Sequence, residues 1–270
     1  MNSIGIGIHG TGLSADYHGY ALAKNKYFSL KAVSDDGYPQ ALSYAKRHHV
    51  DKCYGDLEYL LSCPDVDIVV VASPFFDNIK ILPYIIETGR SVIMETPLAG
   101  SVEDAERIVG MAEDIFLFPV SQMASDPLMK YTSSLIKEGK LGEIRDFSLL
   151  WSFPSPVKRW MNQWGREKHF DEKLLFLQSA SGAFNLVYTL FGVDEVLKVE
   201  EGIDGVRIVF NNGSLVINDG NKGFSFSIKG ENGGIEGENG RLKRGVVEGR
   251  EISGFDKESI RNPYSPLSFW

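Results

Sequence analysis

The sequence predicts an α/β protein with a doubly wound parallel sheet in its N-terminal part and an α+β C-terminal part with an open, mostly antiparallel sheet. Two observations lead to this prediction. In the first 120 residues, short continuous runs of Val, Ile and other apolar residues alternate with helical patterns, which is typical of a parallel sheet covered on both faces. In the last third, single apolar residues alternate with polar ones between glycine-rich turns, which is typical of antiparallel hairpins.

The elements of the first half follow one another along the chain. Residues 77–88 predict a helix with one apolar face that ends before Gly89, and residues 101–113 predict a second amphipathic helix. Ser101 and Asp104 open this second helix as a pair that resembles a capping box. Five runs have the length and composition of buried strands: 4–8, 29–33, 67–72, 91–94 and 115–120.

The second half has a different pattern. Asp126 and Pro127 predict the start of a helix that ends at Gly139, and residues 173–191 predict a longer one. Residues 144–153 predict a long strand, and the hairpin strands are expected at 206–210, 214–218 and 224–228. We expect the domain boundary near residue 120, which divides the chain into residues 1–120 and 121–270.

Composition and charge exclude several function classes. The chain has 270 residues and a formal net charge of −8, so it offers no basic stripe for nucleic acid or for an anionic membrane surface. No apolar run is long enough for a membrane helix, and the first residues contain no secretory signal. Cys53 and Cys63 have no zinc-like spacing, so we expect reduced thiols, no metal and a cytoplasmic location. Adjacent His48 and His49 are expected at the surface.

A glycine-rich turn follows the first predicted strand. The stretch from Gly10 through Thr11, Gly12 and Leu13 to Ala15 matches the G-x-G-x-x-A pattern of a Rossmann dinucleotide site. In such a site, the first glycine permits a tight turn and the second lets the backbone approach a pyrophosphate. The phosphates then lie at the helix N-terminus, where free N–H groups favour negative charge.

An acidic pair ends the second predicted strand. Asp35 stands where an aspartate accepts the ribose hydroxyls of an adenosine, although it could also cap the following helix. Asp36 follows directly, and two carboxylates would repel the 2′-phosphate of NADP(H). The sequence therefore predicts a dinucleotide site that prefers NAD(H) over NADP(H).

Three stretches resemble the glucose–fructose oxidoreductase, inositol dehydrogenase and MocA family. They are the opening turn with His18 on its helix, the stretch "YGDLEYLLSCPDVDIVVVASP" that ends in Ser73-Pro74, and "ETGRSVIMETPLAGSVEDAERIV", which is similar to the region of the family's Glu-Lys-Pro signature. The resemblance implies an NAD(P)-binding Rossmann domain followed by a substrate domain whose open sheet often forms a dimer interface. It also implies cofactor roles for Ser73, Pro74 and Glu95.

The family's catalytic signature is not preserved. Thr96 replaces the lysine between Glu95 and Pro97, and a threonine hydroxyl cannot act as an acid or base near neutral pH. The family's helical aspartate and histidine correspond to Gln178 and Gly182. The remaining polar candidates for the pocket are Thr96, Asn78, Gln122, Gln178 and Asn185. Tyr188 has a helical spacing that favours packing in the core.

Two functions remain in competition. The first is an NAD(P)-dependent oxidoreductase with a degenerate catalytic signature, transferring hydride to or from a small organic substrate. The second is a non-catalytic dinucleotide-binding sensor or partner subunit, which the simultaneous loss of Lys, Asp and His favours. Biliverdin-reductase-like members of the family also resemble this chain in lacking the lysine, which keeps reduction of a conjugated substrate possible. Under either function, the resemblance implies a homo-oligomer that forms through the C-terminal sheet.

Overall fold

A computed structural model describes residues 3–153, 172–192, 195–202, 205–219 and 223–252. The chain divides into two compact units, Met1–Val120 and Ser121–Trp270, and each is described by itself. The predicted fold class is confirmed: the first unit has a parallel sheet with helices, and the second has a larger, mostly antiparallel sheet.

The first unit contains a six-stranded parallel sheet in the order β3-β2-β1-β4-β5-β6. The order reverses between β1 and β4, and the crevice at such a switch point is where open α/β sheets bind ligands. The strands are β1 (Ile4–His9), β2 (Phe28–Ser34), β3 (Lys52–Tyr54), β4 (Ile68–Val71), β5 (Ser91–Glu95) and β6 (Leu117–Val120). The helices are α1 (Leu13–Ala23), α2 (Tyr38–His48), α3 (Leu57–Leu61), α4 (Asn78–Glu87) and α5 (Val102–Met111).

Burial on both faces explains the apolar strand runs. Ile8, Val70 and Val92 are almost fully buried, and the helices cover them from either side. The capping pair works as predicted, since the Ser101 hydroxyl accepts a hydrogen bond from the Asp104 N–H. The prediction that His48 lies at the surface was wrong. Its side chain is 3% exposed and is hydrogen-bonded at 2.7 Å to Asp16 of α1, because α1 and α2 pack against each other.

The second unit contains an eight-stranded sheet in the order β14-β13-β12-β11-β7-β10-β9-β8. Only β7 and β10 pair in parallel; the other neighbours are antiparallel. The strands are β7 (Ile144–Phe153), β8 (Val196–Gly202), β9 (Gly205–Phe210), β10 (Gly213–Asp219), β11 (Phe224–Gly230), β12 (Gly233–Glu238), β13 (Arg241–Val247) and β14 (Arg250–Glu251). The helices are α6 (Pro127–Lys137) and α7 (Glu172–Phe191).

The helices α6 and α7 form the second core with this sheet. Phe147 of β7 stacks on Phe191 of α7 with ring centroids 4.1 Å apart, and Leu149 and Leu186 are fully buried in the same cluster. Asp126 caps α6 by accepting backbone N–H bonds in its first turn, as the sequence predicts. Among the described residues, none of the helices is long and apolar enough to cross a lipid bilayer.

Candidate functional site

The glycine turn lies where β1 ends beside β4. Gly10 has a φ of +89°, and a Cβ on it would lie 2.5 Å from the Ser73 nitrogen and 2.7 Å from the Ala72 carbonyl carbon. Any other residue would therefore be strained by its backbone angle. Its side chain would also collide with the backbone of Ala72 and Ser73, the two residues that follow β4. Glycine at this position lets the chain turn within contact distance of its neighbour.

The helix that follows the turn begins without a side-chain cap. Gly12 is its N-cap, with extended backbone angles and no side chain to accept the first N–H groups. Leu13, the first helical residue, is exposed. The uncapped N–H groups and the positive end of the helix dipole can therefore bind an anion such as a phosphate.

Asp35 is hydrogen-bonded to this turn. Its Oδ2 accepts the Thr11 N–H at 2.8 Å and the Thr11 hydroxyl at 2.6 Å, while its Oδ1 accepts the Gly37 N–H at 2.9 Å. A carboxylate has about four lone-pair positions, so three donors leave roughly one for a further hydroxyl. Asp35 thus fixes the turn, caps the segment before α2, and retains capacity for one more donor.

Two neighbours set the charge of this strand end. Asp36 is exposed next to Asp35, so two carboxylates lie together. His9, the last residue of β1, is buried and its Nδ1 lies 3.0 Å from the Ser34 hydroxyl. Burial lowers the pKa of His9, and the nearby Asp36 and Asp35 oppose that shift. Sequence reasoning missed His9, because a histidine that ends an apolar strand has no pattern of its own.

Ser73 and Pro74 follow β4 next to Gly10. The Ser73 hydroxyl oxygen is buried, and we find no hydrogen-bond partner for it in the described part of the chain. A buried hydroxyl without a partner is costly unless a ligand or water completes it. Asn78, four residues after Pro74, is buried at the start of α4; its Nδ2 donates to the Leu98 carbonyl at 3.0 Å, and its Oδ1 is a second buried acceptor without a described partner.

Glu95 is the last residue of β5. In the sheet, β5 and β2 lie on opposite sides of β1. Its Oε1 lies 2.8 Å from the His18 Nε2 of α1, and both side chains are about one-fifth exposed, at 22% and 19%. Thr96 and Pro97 follow, joined by a cis peptide bond. The hydrogen bond between Asn78 and Leu98 joins the segment after β5 to the start of α4. Thr96, two residues before Leu98, therefore lies in the same region as Asn78. The family resemblance pointed to His18, but its pairing with Glu95 was not predicted.

The other two predicted pocket residues with described side chains lie in the second unit. Gln122 is half-buried and precedes the 3-10 turn Met123–Ser125, which packs against α7. The Asn185 Oδ1 accepts a hydrogen bond from the Ser121 hydroxyl at 2.7 Å, which brings Asn185 close to Gln122 in space. Gln178 lies in α7, and its side chain is outside the described residues.

An indole ring lies against Gly182 of α7. A Cβ on Gly182 would lie 3.4 Å and 3.5 Å from two ring atoms of Trp151, so the tryptophan uses the space in which a longer side chain would stand. Tyr188, further along the helix, is 60% exposed, so the prediction that it lies in the core was wrong. The buried stripe passes through Ala183, Leu186, Val187 and Leu190 instead.

Comparison with known proteins identifies the first unit. Residues 4–115 match the family model described as an oxidoreductase family with an NAD-binding Rossmann fold. Over these residues, the chain is similar to the glucose–fructose oxidoreductase, inositol dehydrogenase and MocA family. The residues that carry the resemblance in sequence, from the glycine turn to the segment around Glu95, all lie inside the matched range.

Curated proteins are similar to part of the chain. An oxidoreductase of Synechocystis is 26% identical over 192 residues, which are 69% of this chain and 51% of that protein. A trans-1,2-dihydrobenzene-1,2-diol dehydrogenase of Xenopus tropicalis is 21% identical over 42% of this chain and 35% of its own length. The chain therefore spans about half or less of the length of these relatives.

Solved structures of the same fold cover nearly the whole chain. A WlbA dehydrogenase from Bordetella pertussis, in complex with NADH and UDP-GlcNAcA, has a TM-score of 0.80 at 18% identity and covers 99% of this chain and 83% of its own. An oxidoreductase from Agrobacterium radiobacter, in complex with NAD+, L-tartaric acid and magnesium, has a TM-score of 0.80 at 15% identity, with coverages of 99% and 86%. At these identities the likeness establishes the fold.

Proposed function

We propose that this protein is an NAD(P)-dependent oxidoreductase that transfers hydride to or from a small organic substrate. The observation that carries the proposal is the glycine turn held by Asp35 in front of the uncapped N-terminus of α1. The family model and the relatives named as oxidoreductases and dehydrogenases support the same reaction class.

The residues present fit a dinucleotide. Gly10 and Gly12 of the turn have no side chains, and the buried hydroxyl of Ser73 next to Gly10 is a polar atom without a partner among the described residues. The pyrophosphate would lie at the backbone N–H groups of Gly12 and Leu13. The adenosine half would then extend towards Asp35 at the end of β2, and the nicotinamide half towards Glu95 on the other side of β1. When bound, the cofactor supplies the hydride.

The side chains near Glu95 restrict the chemistry. Thr96 can donate a hydrogen bond to a substrate oxygen, but it cannot deliver a proton near neutral pH. His18, held by Glu95, is a half-buried imidazole on the nicotinamide side of the turn. We therefore expect a substrate that needs orientation more than acid catalysis, such as an activated C=C, C=N or carbonyl compound. Asn78, Gln122, Gln178 and Asn185 remain the candidates for orienting it.

The cofactor preference follows from charge. Asp35 and Asp36 would repel a 2′-phosphate, while the remaining acceptor position of Asp35 suits a ribose hydroxyl. We propose that the protein prefers NAD(H), with residues 1–120 as the dinucleotide domain. Residues 121–270 would serve for substrate binding and for assembly of a homo-oligomer in the cytoplasm.

A non-catalytic dinucleotide sensor or partner subunit is the second candidate. Two observations favour it. Trp151 lies against Gly182, the position where the family resemblance implies a histidine. Asn185 is also engaged by Ser121, so fewer polar atoms are available to a substrate.

A titration with NADH and NADPH, followed by nicotinamide fluorescence, tests the proposal. We expect saturable NADH binding with a weaker NADPH isotherm, and loss of most NADH affinity in Asp35→Ala. Glu113→Ala, which removes an exposed carboxylate elsewhere on the unit, is the matched control. A panel of conjugated aldehydes, enones and imines then separates the two candidates: NADH oxidation supports the enzyme, and binding without turnover supports the sensor. Absence of binding would refute both.

A further inference from the structure

The helix α1 buries only small residues in its first half. Ala15 and Gly19 are its two buried residues, and the larger Leu22, near its C-terminal end, packs partly against the core. A surface helix is normally held in place by a stripe of large apolar side chains. The N-terminal end of α1, with the N–H groups of Gly12 and Leu13, therefore depends on contacts of another kind.

The side chain of Tyr44 in α2 contacts the first turn of α1. Its hydroxyl donates a hydrogen bond to the Ala15 carbonyl at 2.7 Å, and the residue is fully buried. Burial raises the pKa of the Tyr44 hydroxyl, and the nearby charge of Asp16 acts in the same direction. The hydroxyl is therefore protonated throughout the neutral pH range and remains a donor to α1.

A second contact to the same turn comes from the last turn of α2. The Nε2 of His48 and the Nη2 of Arg47 lie 2.7 Å and 2.9 Å from the same oxygen, Oδ1 of Asp16. The side chain of His48 is buried, and its ring centroid lies 4.3 Å from that of Tyr44. Because Asp16 belongs to the first turn of α1, both contacts act on the end of the helix that can bind an anion.

Gly19 allows the backbone of α1 to lie directly against these two side chains. A Cβ on Gly19 would lie 2.6 Å from two ring atoms of His48 and 2.6 Å from the hydroxyl oxygen of Tyr44. Such distances are shorter than any ordinary contact of a Cβ atom, so another residue at this position would displace α1 or the two rings.

The helix α2 is also joined to the glycine turn at its other end. Gly37, its N-cap, donates its N–H to Asp35, whose other carboxylate oxygen accepts both hydrogen bonds from Thr11. The segment from Asp35 through α2 therefore contacts the predicted phosphate site twice, once at the turn and once, through Tyr44, at the helix that follows the turn.

We propose that Tyr44 and His48, packed against Gly19, position the N-terminus of α1 for the pyrophosphate of a dinucleotide. Tyr44 is fully buried, so it acts through α1 and not on the ligand. The contacts fix the first turn of α1 relative to the end of β2, so the N–H groups are ordered before the ligand arrives and less entropy is lost on binding. This inference rests on the proposed binding of a dinucleotide.

Competition against bound NADH separates positioning from a general loss of stability. ADP and adenosine are the probes, because only ADP carries a pyrophosphate. Tyr44→Phe removes one hydroxyl, and we expect the affinities for ADP and NADH to fall roughly fivefold while that for adenosine stays within about twofold. Thr88→Val is the matched control, since it removes a hydroxyl that donates to the Ile85 carbonyl at 2.6 Å in the same unit. It should leave all three affinities unchanged.

Gly19→Ala tests the close packing directly. The added methyl group pushes against His48 and Tyr44, and we expect the affinity for ADP to fall roughly tenfold. Gly110→Ala adds the same group to α5, where nothing lies within 4 Å of it, and should bind ADP as the wild type does. His48→Gln, which keeps an N–H that can reach Asp16, should retain more affinity for ADP than His48→Leu. Urea unfolding shows which variants are folded under the assay conditions.

The outcomes separate the positioning role from the proposed function. A wild type that binds neither NADH nor ADP overturns both. A wild type that binds both ligands, with Tyr44→Phe either unchanged for ADP or weakened equally for ADP and adenosine, overturns the positioning role and leaves dinucleotide binding intact. Tyr44→Phe removes no packing atoms other than the hydroxyl oxygen, so this variant decides the question even where Gly19→Ala fails to fold.

Discussion

Thr11 donates both its backbone N–H and its hydroxyl to the same carboxylate oxygen of Asp35, at 2.8 Å and 2.6 Å. The residue between the two glycines of the turn is therefore attached to the end of the neighbouring strand. The contact orders the turn before any ligand arrives, which lowers the entropy lost on binding. Asp35 thus has a positioning role in addition to any contact with a ribose.

Thr11→Val tests this positioning role. The variant keeps the side-chain shape and the N–H bond but loses the hydroxyl bond to a charged acceptor, which contributes about 1.5–3 kcal/mol. We expect NADH affinity to fall roughly tenfold, measured by nicotinamide fluorescence. Thr11→Ser keeps the hydroxyl and should bind within about threefold of the wild type. Equal affinity for the valine and serine variants would contradict the role.

Gly10→Ala should destabilise the first unit by both backbone strain and collision. A Cβ at this position would lie 2.5 Å from the Ser73 nitrogen, at a φ of +89°. Gly89→Ala is a matched control, since Gly89 has a φ of +70° and nothing within 4 Å of its added Cβ. We expect the free energy of unfolding in urea to fall by about 2 kcal/mol more in Gly10→Ala than in Gly89→Ala. Equal losses would mean that the approach to Ser73 is not tight.

Burial of His9 makes stability depend on pH. Because burial lowers the pKa of His9, the folded state resists protonation below the ordinary value of 6.5, whereas the unfolded chain binds the proton. Stability is therefore lost as the pH falls through 6.5. Urea unfolding of wild type and His9→Gln between pH 5 and 8 should give curves that diverge only at the acidic end, where the wild type loses more. Ser34→Ala, which keeps the histidine, should retain the wild-type slope; parallel curves for wild type and His9→Gln would contradict the mechanism.

Asp36→Arg should change the choice between cofactors. The substitution removes a repulsive carboxylate beside Asp35 and adds a group that can pair with a 2′-phosphate. We expect the ratio of NADPH to NADH affinity to rise at least about tenfold, measured by parallel titrations. Glu113→Arg changes the net charge equally at another exposed position and should leave the ratio unchanged. A rise in both variants would point to bulk charge instead.

Local sequence patterns predicted most of the strands and helices, but they did not predict every element. The apolar runs of β1, β4 and β5 and the caps at Ser101 and Asp126 could be identified because burial and capping act over a few neighbouring residues. The short β3 and the exposed β8 were not predicted. A strand of 3 residues is too short to show an alternation of apolar and polar residues. All residues of β8 are exposed, so its sequence lacks the alternation that is typical of a half-buried strand.

The candidate site also has features that the sequence predicted and contacts that it did not. The glycine turn and the acidic strand end could be identified from spacing. The pairs of Thr11 with Asp35 and His18 with Glu95 join residues that are distant in sequence, so no local rule connects them. Their roles towards a cofactor remain predictions that the binding experiments test.

The sequence by itself determined the fold class and the glycine turn, because the hydrophobic period and the conformational freedom of glycine are properties of neighbouring residues. Only the tertiary structure decided which side chains meet. It placed Trp151 against Gly182, brought Asp35 to Thr11, and left β8 at an edge where its backbone groups face outwards. Such contacts depend on the order and register of strands, which result from packing over the whole unit.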